Sequence, residues 1–399
     1  MSFRLSHIHD YHRFVAIDLG LYRVRAGIYD LSLGDLTCTG FSSVRQSRKN
    51  WIDGVVADIW GIAQSIEQAM LQAGHSQGTI PDDIIMSFPS QSFVSDAITT
   101  QYTRADAEST LTMQEIDMMI KRIEKESYER ARTKSRKQFG ISSDDLRLVS
   151  STIIAISVDG KKVTSPIWFA GSRVRLTVLN VFVPSSEFNV IRSIISSLGK
   201  RAISLIPEPL ILPKVIEDTE FSRSTNCLID IGYGHTTVTI LTGNEIIGFE
   251  TFPYGTEMLI ELIATEKPGY SLLQIENIIC TPSECEVEIH HQCLDEFLSY
   301  IWDVVFGYLQ AEHIDVTLEN LLLHGNIFEN KIVRDEFSKL FHDTLWHELS
   351  TRRLCEIVSP ALAHDQCIVA GLSQMASELL MTRKDPLVRI LRYVLYQYE

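Results

Sequence analysis

Asp18 ends the apolar run Phe14 to Asp18 and is followed by Leu19-Gly20. Asp230 ends the run Asn226 to Asp230 and is followed by Ile231-Gly232. In each case a second apolar segment follows at once, Val24 to Tyr29 in the first and Thr236 to Leu241 in the second. An apolar strand that ends in Asp-x-Gly and turns straight back suits phosphate. Glycine lets backbone N–H groups approach phosphate oxygens. The carboxylate can hold Mg²⁺, directly or through water, because hard cations take oxygen ligands. One Asp-x-Gly is an ordinary turn. Two such hairpins, with a later apolar strand Leu321 to Leu323 ending at His324-Gly325-Asn326, would clamp a nucleotide between two lobes.

The elements that must position these residues follow from periodicity and turn chemistry. The first hairpin is followed by a helical pattern over Asp53 to Ala73, stopped by Gly74, and by a strand Ile84 to Phe88. Thr112 and Glu115 form a capping box at the head of a charged helix over 112–138. Its basic run (Arg130, Arg132, Lys134, Arg136, Lys137) reads as a solvated face. Leu146 to Val158, Lys162 to Val163 and Arg173 to Val183 read as strands around an Asp159-Gly160 turn. Ser185 to Leu198 reads as an amphipathic helix stopped by Gly199, so 90–202 forms a compact α+β unit. Glu245 to Phe249 closes the second hairpin through Thr242-Gly243-Asn244. Beyond Thr256 the pattern is helical apart from a short strand over Cys285 to Ile289. The hairpin plan occurs twice, which suggests two related lobes.

With 399 residues the chain can build two or three domains. Its net charge of −15 argues against nucleic acid as a partner, since phosphate backbones need a basic field. Seven scattered cysteines and a polar, His-rich start read as reduced cytosolic thiols. No run of about 18 apolar residues spans a membrane. Cys280, Cys285, His290, His291 and Cys293 lie close together, but their spacing fits no recognised zinc pattern.

Phe14-Val15-Ala16-Ile17-Asp18-Leu19-Gly20 resembles the first phosphate motif of the superfamily of actin, the heat-shock chaperone ATPases and the sugar kinases. Leu228-Ile229-Asp230-Ile231-Gly232-Tyr233-Gly234-His235-Thr236-Thr237 resembles the second. Ile206-Pro207-Glu208-Pro209-Leu210 is similar to the connecting helix, and Leu321 to Asn326 stands at the adenosine motif. Within that superfamily, Gly54-Val55-Val56-Ala57-Asp58, the 90–202 unit and the Phe252-Pro253-Tyr254-Gly255 turn resemble the FtsA family of bacterial cell-division proteins. The resemblance implies a two-lobed actin-like (ribonuclease H-like) α/β fold. It has a first lobe over 1–89, an inserted α+β domain over 90–202 and a second lobe over 203–385. It implies ATP and Mg²⁺ as cofactors. Nucleotide contacts would come from Asp18, Gly20 and Arg23 in the first hairpin and from Asp230, Gly232, Gly234, His235 and Thr236 in the second. Gly255, Gly325 and Asn326 complete the set. Asp18 and Asp230 would hold Mg²⁺ through the nucleotide, and Glu208 would orient the attacking water.

Several positions depart from the family pattern. Leu21, with Tyr22 next, stands where a small hydroxyl residue is usual, Tyr233 replaces a glycine, and Glu261 stands about where a lysine is found. The adenosine motif is reduced to Gly325-Asn326. Phosphoryl transfer depends on positioning the phosphates. The expectation is therefore nucleotide binding with slow or absent hydrolysis.

Leu387, Ile390, Leu391, Val394, Leu395 and Tyr398 fall at i, i+3, i+4, i+7, i+8 and i+11, one helical stripe. Arg389 and Arg392 lie off it, and Asp385-Pro386 suits a helix start. A basic amphipathic helix over 386–399 on an acidic protein reads as a membrane-surface anchor, as at the end of FtsA. The leading expectation is a scaffold that polymerises on the inner face of the cytoplasmic membrane at the division site and tethers a tubulin-like filament. A pilus-assembly actin-like adaptor and a small-molecule kinase of the same superfamily are the alternatives.

Overall fold

The computed structural model describes residues 11–75, 78–139, 145–163, 166–217, 219–280, 283, 286–311, 318–337, 339, 353–356 and 364–381. The amphipathic stripe over 386–399 lies outside them. The chain opens with three strands, β1 (Tyr11–Leu19), β2 (Arg23–Ser32) and β3 (Asp35–Arg45). A two-strand ribbon follows, β4 (Trp51–Ile52) with β5 (Val55–Val56), then α1 (Ile59–Gly74) and β6 (Asp83–Phe88). The helix expected from Asp53 therefore starts six residues later. Asp53 and Gly54 take φ of 49° and 74°, which makes them the centre of a hairpin turn. Asp58 is the cap, accepting from Gly61 N at 3.0 Å.

Next come β7 (Val94–Thr103), α2 (Met113–Phe139), β8 (Leu146–Val158), β9 (Lys161–Lys162) and β10 (Arg173–Pro184). They form a separate four-stranded sheet in the order β7-β10-β8-β9, with α2 packed on it through Ile116, Ile120 and Ile123. The capping box forms as expected: Thr112 N donates to Glu115 at 2.9 Å and Glu115 N to Thr112 Oγ1 at 3.3 Å. Then α3 (Ser185–Ser197) packs against α1, and β11 (Arg201–Pro207) pairs in parallel with β6. The boundary placed at 202 from sequence thus falls inside β11, a strand of the first sheet.

That sheet has the order β11-β6-β1-β2-β3, antiparallel among β1, β2 and β3 and parallel from β1 through β6 to β11. A 3-10 turn Glu208–Leu210 and α4 (Leu212–Ile216) lead to β12 (Thr225–Ile231), β13 (Thr236–Thr242) and β14 (Glu245–Phe252). The helices α5 (Thr256–Glu266), α6 (Leu272–Cys280) and α7 (Val287–Ala311) follow, then β15 (Asn320–His324), β16 (Arg353–Glu356) and α8 (His364–Met381). Residues 287–289, expected at the end of a short strand, are helical in α7. The second sheet runs β14-β13-β12-β15-β16 with the same alternation of sense. The repeat predicted from the two hairpins is thus a repeat of the whole sheet.

Alternation along the strands sends side chains into two cores. Cys227, Ile229 and Ile231 of β12 and Leu321 and Leu323 of β15 pack with α5, α6 and α7. Leu228 and Leu322 face the other way, into the core built on Phe14, Ile17 and Ile28. Helices α4 and α8 share that core through Leu212, Ile216, Val369 and Leu372. Both sheets are covered on both faces, which explains their near-continuous apolar runs.

Candidate functional site

The two sheets bring the ends of β1 and β12 to opposite walls of one cleft of about 420 Å³. Ligand pockets run from roughly 300 to 1,000 Å³. Asp18, Gly20, Arg23, Asp230, Gly232, His235, Gly325 and Asn326 line it, and Glu208 joins them from the 3-10 turn after β11. Gly234, Thr236 and Gly255 are not on its wall. Thr236 is buried and donates to Tyr254 O at 2.7 Å, and a Cβ on Gly255 would sit 2.4 Å from Tyr233 O. Those two positions hold the second hairpin against the loop after β14. Glu261 is exposed on α5.

Each carboxylate in the cleft already has a basic side chain on it. Asp18 is 2% exposed; its Oδ2 accepts from Arg25 Nη1 at 3.0 Å and its Oδ1 from Ser87 Oγ at 2.9 Å. His324 Nδ1 lies 2.8 Å from Asp230 Oδ1, and His235 Nε2 lies 3.0 Å from Glu208 Oε2. The Mg²⁺ expected at Asp18 and Asp230 therefore meets two carboxylates held by Arg25 and His324. The water-orienting role expected of Glu208 meets a carboxylate engaged by His235. Among the described residues no group of His, Cys, Asp and Glu is disposed to hold a metal ion, and that covers His290, His291 and Cys293.

The electrostatics agree with the geometry. Burial pushes the Asp18 carboxyl up to about 6, against the pull of Arg25; Glu208 adds to the rise. Burial alone would lower His324, but the charge of Asp230 and the bond to it outweigh this and hold it up at about 10. His235 is likewise raised against its burial by Glu208, Asp230 and Asp18. Asp230 lies below its ordinary value, because His324, His235 and Arg25 together outweigh its burial.

The hairpin tips meet across the cleft. Tyr22 and Tyr233 stack with ring centroids 5.0 Å apart and planes 19° from parallel. The Leu21 side chain lies against Gly234, where a Cβ would come within 2.7 Å of it. Arg48 Nη2 donates to the Tyr233 hydroxyl at 2.9 Å, and Arg45 reaches Glu276 of α6 at 2.6 Å while its guanidinium lies 4.9 Å from the Tyr22 ring. The bulk noted at Tyr22 and Tyr233 thus becomes a bridge between the turns. Behind it, Ile260, Ile279 and Ile327 form an apolar wall with Asn277 among them.

Sequence reasoning missed Arg25, Ser87, His324 and the α6 residues. Arg25 had a signal: with Leu19 opposite Val24, an antiparallel hairpin puts Arg25 opposite Asp18. His324 sat in a recognised motif, but its partner depends on which strand lies beside β15.

No protein-family profile and no curated protein sequence matches the chain. Solved structures do. The PilM-PilN type IV pilus biogenesis complex matches with a TM-score of 0.66 at 13% identity, over 91% of this chain and 98% of that one. MreB5 of Spiroplasma citri bound to ADP matches with a TM-score of 0.51 at 11% identity, over 94% of this chain and 99% of that one. A diol dehydratase-reactivating factor in nucleotide-free form gives 0.51 at 10% identity, over 92% and 100%. The chain has the actin-like ATPase fold. That fold is shared more widely than by the FtsA family to which the sequence resemblance pointed.

Proposed function

We propose that the chain is an actin-like scaffold that holds a nucleotide in its interlobe cleft with little or no turnover and acts by docking other proteins. The observation that carries this is the occupation of Asp18, Glu208 and Asp230 by Arg25, His235 and His324. A hydrolytic site of this fold needs its acids free for metal and water. These acids are committed to bonds that tie the hairpins and β15 together. Steady-state phosphate release from ATP should stay near the protein-free rate. Turnover like that of a sugar kinase, abolished by Glu208→Ala, would overturn the reading.

The finer role follows the FtsA resemblance and the stripe from Leu387 to Tyr398. The chain assembles with itself on the inner face of the cytoplasmic membrane at the division site and tethers a tubulin-like filament there. Anionic vesicles coated with the protein should retain a tubulin-like division protein on flotation, and bare vesicles should not. A second reading, a pilus-assembly adaptor, is supported by a groove of about 200 Å³ between the inserted sheet and the first lobe. Ser150 to Ile154 of β8 line it opposite Leu210, Met375 and Leu379. Among the described residues β8 pairs with β9 only at Ser157 and Val158, so this stretch offers a strand edge of the kind that takes up an extended peptide. Specific retention of such a peptide, with no effect of tubulin-like filaments, would favour the adaptor.

A further inference from the structure

We infer that the cleft binds a nucleoside phosphate without a metal ion, the chain's own basic groups standing where a divalent cation would. This deepens the nucleotide reading above and rests on it.

The first ground is occupation. Both oxygens of Asp18 take protein donors, Arg25 at 3.0 Å and Ser87 at 2.9 Å. Asp230 Oδ1 lies 2.8 Å from His324 and Glu208 Oε2 lies 3.0 Å from His235. Magnesium demands a nearly ideal octahedron of oxygens at short range. To take a carboxylate here it would have to strip away the half-buried Arg25 or a buried histidine, and that group would then lack its counter-charge in a low-dielectric wall.

The second ground is balance. Asp18, Glu208, Asp230 and Glu276 line the cleft beside Arg23, Arg25, His235 and His324, and Glu276 is paired with Arg45. An added dication finds no surplus negative charge, whereas a phosphate finds Arg23 beside the Gly20 turn. The third ground is an orphan atom. His235 is 6% exposed and lines the cleft, and among the described residues its Nδ1 has no hydrogen-bond partner. Buried polar atoms of this kind are satisfied by something, and a ligand oxygen in the cleft is within the ring's reach. Ile260, Ile279 and Ile327 with Asn277 supply the apolar wall and polar edge that a base requires.

The test is calorimetric titration of the full chain with ADP, once in EDTA and once in excess Mg²⁺, with adenosine and inorganic phosphate as separate arms. The expected result is an ADP affinity that differs by less than about threefold between the two buffers, with adenosine and phosphate each weaker. Binding at least about tenfold weaker in EDTA overturns the inference and leaves the nucleotide reading standing. No ADP binding in either buffer overturns both. Paramagnetic resonance of Mn²⁺ gives a second readout: the protein with ADP should immobilise no more Mn²⁺ than ADP alone, and a protein-bound signal counts against the inference. His324→Asn, if folded by circular dichroism, should acquire a preference of about tenfold for Mg²⁺, because Asp230 is uncovered. A folded variant that still ignores Mg²⁺ contradicts the assigned role of the histidine; an unfolded one leaves the wild-type arms to decide.

Discussion

Asp230 and His324 are register partners on the parallel strands β12 and β15, and their side chains meet at 2.8 Å. Asp18 and Arg25 are register partners on the antiparallel strands β1 and β2, and meet at 3.0 Å. The two lobes thus neutralise the same strand-end carboxylate by different neighbours. In the first lobe the cation comes from the returning strand of the hairpin and Ser87 of β6 adds a hydroxyl; in the second it comes from the parallel strand.

The Asp230–His324 pair makes stability depend on alkaline pH. His324 titrates near 10 in the folded chain against an ordinary 6.5, so its contribution is complete below about pH 6.5 and is lost as pH rises through 10. Thermal unfolding should show a falling midpoint between pH 7 and 10. His324→Asn alone should cost about 3–5 kcal/mol near neutrality, because it leaves a buried carboxylate uncovered. The double change Asp230→Asn with His324→Asn should cost less and flatten the pH dependence. A single variant as stable as wild type would show that the pair contributes nothing.

Arg25→Gln should destabilise the protein more at pH 8 than at pH 5. Asp18 is already raised to about 6, so its ionised form carries a burial penalty that is absent below about 3.8, grows up to the folded value and stays constant above it. Removing Arg25 raises the folded value further and enlarges the penalty only where the carboxyl must ionise. Urea unfolding at the two pH values measures the difference, and an equal loss at both would contradict it.

Tyr233→Gly removes one ring of the stack between the hairpin tips. Such a stack is worth about 0.5–1.5 kcal/mol, so the fold should lose roughly that much. The phosphate path opens at the same time, and ADP affinity should rise by about tenfold in calorimetry. Weaker binding would mean that Tyr233 supports the ligand and does not obstruct it.

Deleting residues 386–399 should release the protein from anionic vesicles. The stripe of Leu387, Ile390, Leu391, Val394, Leu395 and Tyr398 offers large apolar groups worth roughly 1.5–3 kcal/mol each on burial. Arg389 and Arg392 add about 1 kcal/mol each beside anionic lipid. The double change Ile390→Glu with Leu391→Glu should release it as well. Equal flotation of full-length and truncated chains would make this segment a packed helix.

Much of the fold was legible because it is written locally. Strand alternation, the capping box of Thr112 and Glu115 and the Asp159-Gly160 turn each depend on neighbours within a few residues, and φ of 47° and 83° at that turn suits its residues. The repeated Asp-x-Gly hairpin announced two lobes for the same reason. The helix expected from Asp53 starts later because Val55 and Val56 continue its apolar pattern upstream of Ile59, while the turn chemistry of Asp53-Gly54 puts them in a hairpin.

What the sequence determined by itself was the set of strands, the two hairpins and the acids at their ends. Only the tertiary structure decided the state of those acids. Glu208 meets His235 because β11 and β12 belong to different sheets facing one cleft, and Asp230 meets His324 because β15 lies beside β12 across 94 residues of chain. Tyr22 stacks on Tyr233 only because the two hairpin tips face each other across the cleft. A carboxylate's charge in a buried wall is set by whatever lies within a few ångströms, and that neighbourhood is assembled by sheet order and lobe packing, which no local pattern encodes.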